Sequence, residues 1–112
     1  MAYVLSKKPT FKTKVIVVEP GNADDGAPES SEFIAEFKRL KRDEVEALIK
    51  ANRPVYEVLA ELLVGWSGLK AEDGGDLPFS EDHRAALLQI PHAVWSLWQK
   101  FLEESSGVVR KN

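Results

Sequence analysis

The chain has 112 residues, 44% of them hydrophobic and 29% charged, with a net charge of −3 and no cysteine. That length holds one hydrophobic core, the composition is globular rather than disordered, and the missing cysteine excludes disulfides and thiolate metal sites. An acidic chain has no general attraction to phosphate backbones, and no apolar run approaches the roughly 20 residues that a membrane span needs. The start, MAYVLSKKP, has neither the apolar stretch nor the small-residue cleavage site of a signal peptide, so a cytoplasmic protein is expected.

From Thr10 to Val18 the chain reads TFKTKVIVV, with Phe11, Thr13, Val15 and Val17 alternating with Lys12, Lys14, Ile16 and Val18. A period of two, rich in β-branched residues, predicts a strand. Glu19 to Ser31 concentrates Pro, Gly, Asn, Asp and Ser and reads as a mobile loop. Phe33, Ala35 and Phe37 then alternate with Ile34, Glu36 and Lys38, predicting a second strand antiparallel to the first. Phe33, Phe37 and Leu40 also stand at helical spacing, so a helix is the competing reading of that segment.

A short helix is expected from Asp43, with Glu46 as the answering residue of a capping box and Val45, Leu48 and Ile49 as its buried stripe. Pro54 suits the first position of the next helix, whose Val55, Val58, Leu59, Leu62 and Leu63 repeat at helical spacing. Gly65 is read as its left-handed stop, with Trp66 folding back to seal one end of the core. After a turn-rich stretch from Lys70 to Pro78, Ser80 caps a third helix that begins with Glu81 and Asp82. Pro91 separates it from a fourth, where Val94, Trp95, Leu97, Trp98, Phe101 and Leu102 span an arc of roughly 160°, wider than the stripe one covered face needs. Gly107 marks its end, and residues 107–112 are expected to form a flexible tail.

Few residues invite chemistry. His83 and His92 fall on different helices rather than on one metal-binding face, and the acidic turn Glu72, Asp73, Gly74, Gly75, Asp76 lacks the ligand pattern of a calcium loop. No serine stands in a nucleophile-elbow context, so neither catalysis nor a cofactor is expected. The basic run Lys38, Arg39, Lys41, Arg42 is followed directly by Asp43, Glu44 and Glu46 and reads as a solvated strand end better than as a phosphate contact. Trp95, Trp98 and Phe101 admit two readings. They are core residues, or one edge of their helix anchors a partner chain or a second copy.

The order of FKRL (Phe37 to Leu40), LVGWSGL (Leu63 to Leu69), DGGDLPFS (Asp73 to Ser80), the pair Ile90 and Pro91, and a terminal RKN resembles the tail assembly chaperones of long-tailed bacteriophages. The resemblance runs from about Phe33 to Asn112. It implies a noncatalytic protein of the host bacterial cytoplasm that coats and solubilises the tape measure protein, helps recruit the major tail protein, and is absent from the mature virion. Members of that family often make a longer product by ribosomal frameshifting near the end of the gene, and Lys111 with Asn112 is a dipeptide that a slippery sequence can encode.

The expectation is therefore a single α+β domain over 1–112: an antiparallel strand pair within 10–40, about four helices within 43–106, and the tail. The expected partner-binding residues are Trp95, Trp98, Phe101, Leu102 and Val108, with tape measure protein and major tail protein as partners. Self-association is also open. The competing function is a structural tail subunit that stays in the particle.

Overall fold

The computed structural model describes residues 2–5, 8–21 and 24–106. The tail from Gly107, including Val108 and the Lys111–Asn112 pair, lies outside the described residues. In chain order the elements are β1 (Thr10–Glu19), β2 (Glu29–Lys38), α1 (Arg42–Ala51), α2 (Val55–Leu62), β3 (Leu63–Ser67), α3 (Glu81–Leu87) and α4 (Pro91–Ser106). The fold is α+β, and the sheet has three antiparallel strands in the order β1-β2-β3.

The first two strands form as their alternation dictates. Thr13, Val15 and Val17 on β1 and Phe33, Ala35 and Phe37 on β2 are buried on one face of the sheet. The pairing is longer than the polar composition suggests. β1 runs to Glu19 and β2 begins at Glu29, with Val17 opposite Ser31 and Glu19 opposite Glu29, so the connection shrinks to residues 20–28. Strand ends facing water tolerate Glu and Ser because the ladder satisfies their backbone groups whatever the side chain. Within the connection, Ala27 N–H donates to the Asp25 carboxylate at 2.9 Å and Gly26 takes φ +73°, a conformation that suits glycine.

β3 corrects the sequence reading. Leu63 to Ser67 is a strand, not a helix end and its cap. Ala35 pairs with Trp66 and Phe37 with Leu63, and the register shifts between Glu36 and Phe37. That bulge explains the misreading. Two strand residues three apart normally face opposite ways, but one extra residue lets Leu63 and Trp66 both turn toward the core. Their spacing consequently mimics a helical i, i+3 pair. Gly65 is not a left-handed stop; its missing side chain leaves room for Glu36, whose carboxylate oxygen would lie 2.9 Å from an added Cβ.

The helices close the inner face of the sheet. α1 starts before the predicted Asp43: Lys41 is its N-cap, and the Lys41 N–H donates to the Glu44 carboxylate at 2.8 Å. Glu44, not Glu46, therefore closes the N-terminus. Val45 is buried and Leu48 half-buried, while Ile49 faces solvent rather than the core. In α2, Val58, Leu59 and Leu62 are buried. Ser80 caps α3 by accepting from the His83 N–H at 3.0 Å, and Pro91 opens α4. α4 packs along β1, where buried Thr13 donates to the Glu104 carboxylate at 3.0 Å.

Candidate functional site

α4 supplies both core and surface. Leu97 and Phe101 are fully buried, and Phe101 meets Phe37 edge-on with ring centroids 5.4 Å apart. Trp98 is half-buried and stacks on Phe101 at 5.9 Å, and Leu102 is half-buried against the same cluster. Phe101 is thus a core residue and does not line a binding groove. Leu97 and Phe101 each contribute about 1.5–3 kcal/mol by full burial, which ties this half of the helix to the fold.

Trp95 behaves differently. At 100° per residue it sits about 120° around the helix from Phe101, off the buried stripe, and 61% of its surface is exposed. Near it lies Tyr56, 52% exposed, in the first turn of α2. The two aromatics line a shallow cleft of about 470 Å3 together with Val55, Leu88, Pro91 and Val94. Among the described residues expected to bind a partner, only Trp95 stands open on this surface. Tyr56, Pro91 and Val94 were not among them.

Local chain chemistry explains why an apolar surface forms here. Pro54 and Pro91 open α2 and α4, so both helices begin at the cleft. Tight backbone bonds bring α3 into α4: Gln89 N–H donates to Ala86 C=O at 3.2 Å, Ile90 N–H to Leu87 C=O at 3.1 Å, and Val94 N–H to Ile90 C=O at 3.0 Å. Ile90 is left 40% exposed on the same turn. Arg53, just before α2, hydrogen-bonds Glu61 and holds its carboxyl below the ordinary carboxylate range. That pair is solvent-exposed and orients side chains more than it stabilises the fold.

The stretch after β3 forms a brace. Leu77 N–H donates to Leu69 C=O at 2.8 Å, and Lys70 bridges Asp76 across a turn in which Gly74 takes φ +86°. The Trp66 indole N–H donates to Leu77 C=O at 2.8 Å, and the ring meets Phe79 edge-on at 4.9 Å. Arg84 lies over Phe79 at 5.7 Å and donates to Leu63 C=O at 3.0 Å. The LPFS segment thus clasps the outer edge of β3.

The remaining polar features are structural. His83 Nδ1 lies 2.7 Å from Pro78 C=O, and among the described residues no group of three or more His, Cys, Asp or Glu is placed to hold a metal. In the basic run, Arg39 Nε donates to Lys8 C=O at 3.0 Å and the guanidinium covers the Phe11 ring, fastening the N-terminal segment. No helix among the described residues is long and apolar enough to cross a membrane. Comparison with protein-family models, curated proteins and solved structures finds no match for this chain.

Proposed function

We propose that this chain is a noncatalytic protein-binding module whose Tyr56–Trp95 cleft covers apolar helix faces of a partner. In line with the resemblance in its sequence, the partner is the tape measure protein of a long-tailed phage, and the work is done in the bacterial cytoplasm before tail subunits enclose that rod. The observation that carries the reading is the exposure of two large aromatic side chains on one apolar cleft, since Trp and Tyr are the residues that most often dominate binding energy at interfaces. A rod with long apolar helix faces aggregates unless another surface covers it, and many weak sites on many copies supply avidity. Recruitment of the major tail protein is the second step of the proposed role.

The test is co-expression with the tape measure protein of the same gene cluster, with and without this chain. Soluble, co-purifying tape measure protein is expected, and the Tyr56→Ala, Trp95→Ala double variant should lose at least tenfold in recovered complex while keeping its fold. An insoluble tape measure protein in the presence of the wild-type chain sinks the reading. Recovery of the chain from purified virions would instead make it a structural subunit.

A further inference from the structure

The sheet has two edges, β3 and β1, and they differ in length and cover among the described residues. β3 is short, five residues, and its Leu63 carbonyl is taken by Arg84. β1 is ten residues long, and among the described residues it has β2 as its one strand neighbour. Its other side therefore presents backbone donors and acceptors to whatever lies beside it, and the lysines that usually guard such an edge occupy only its first half. α4 packs beneath β1 without filling the space beside it: a cleft of about 150 Å3 runs between Lys14 and Ile16 and the polar flank Ser96, Gln99, Lys100 and Glu103.

The side chains of β1 on the outer face are divided by character. Lys12 and Lys14 occupy the first half of the strand, and Ile16 and Val18, 53% and 51% exposed, occupy the second. A strand so divided rejects a parallel copy in register, because lysine would meet lysine. It accepts an antiparallel copy, because the lysine half then meets the apolar half. Like charges directly opposite each other weaken a strand pair, whereas a lysine stem beside an isoleucine is compatible with it.

We propose that β1 is a self-pairing edge, through which two copies of this chain join antiparallel about a two-fold axis at Val15 to form one continuous six-stranded sheet. This register places Lys14 opposite Ile16 of the second copy and Lys12 opposite its Val18, and it keeps all residues from Phe11 to Glu19 in the ladder. Moving the axis to Lys14 sets that lysine against itself. Moving it to Ile16 sets Lys12 against Pro20, which has no N–H to give. The added strand would lie about 4.8 Å from β1, on the side away from β2.

Because positions 14 and 16 face each other across the axis, exchanging their residues preserves every pair. The experiment measures mass against concentration by sedimentation for three proteins, each checked for fold by circular dichroism. Wild type should dimerise. Ile16→Lys places two lysine pairs across the interface and should raise the dimer Kd by about tenfold or more, since the symmetry doubles each change. The exchange variant, Lys14→Ile with Ile16→Lys, should return to within about threefold of wild type. Within each copy its new lysine stands directly opposite Glu32, in place of the Lys14–Glu32 pair at 3.7 Å. A wild type that stays monomeric at high micromolar concentration overturns the proposal. So does a dimer indifferent to Ile16→Lys, or a folded exchange variant that remains monomeric. The Tyr56–Trp95 cleft shares no lining residue with the cleft beside β1, so the two tests read different surfaces.

Discussion

The two halves of α4 use the same kind of side chain for opposite ends. Toward its C-terminus, Phe101 meets Phe11 and Phe37 of the sheet and Trp98 stacks on Phe101, so the surface of Phe101 is consumed by the fold and that of Trp98 in part. In its first turns, Trp95 has α2 rather than the sheet for a neighbour and stays 61% exposed beside Tyr56. The sheet is what separates them. An aromatic facing β1 and β2 is buried between layers, and one rotated roughly 120° away reaches only a cleft that nothing in the described chain covers. Aromatic content alone therefore says nothing about role.

The sharpest way to break this contrast is to truncate one member of each group. Phe101→Ala should cost about 3–5 kcal/mol of stability, because it opens a cavity among Phe11, Phe37 and Trp98; chemical denaturation would measure it, and a loss below about 1 kcal/mol would remove Phe101 from the centre of the core. An intermediate effect is expected from Trp66→Phe, which keeps the ring against Phe79 but leaves Leu77 C=O without its indole donor at 2.8 Å. About 1–2 kcal/mol is the expected loss, read as a shift in the denaturation midpoint. Trp95→Ala should change stability least, by about 0.5 kcal/mol or less, while it weakens capture of the tape measure protein. If Trp95→Ala instead destabilises the fold as much as Phe101→Ala, the distinction between core and docking aromatics fails.

Much of the fold was legible in the residues, and the reasons are local. The alternation in TFKTKVIVV and in Phe33 to Phe37 correctly separated buried from exposed positions, because a strand imposes a period of two on any sheet with one covered face. Ser80 and Pro91 fixed the starts of α3 and α4, since capping and the proline ring act within a single turn. β3 was hidden for an equally definite reason. Its bulge turns Leu63 and Trp66 to the same side, and in a linear sequence that spacing cannot be told from a helical one. Trp95 was singled out from the width of the apolar arc on α4, but the same arc also drew in Phe101. Tyr56 carries a usable signal in the sequence: it is an aromatic standing next to, and not on, the stripe formed by Val55, Val58, Leu59 and Leu62.

By itself, then, the sequence determined the α+β fold class, the partition of its first two strands into inner and outer faces, the starts of its last two helices, and the excess of apolar surface on α4. Those properties are set by interactions spanning a few residues, which a linear pattern records. Only the tertiary structure decided that α2 runs straight into a third strand, that Phe101 belongs to the sheet and Trp95 to the surface, and that Tyr56, more than thirty positions earlier, shares its cleft. These depend on which faces of distant elements meet, and burial is a property of that meeting rather than of the residue.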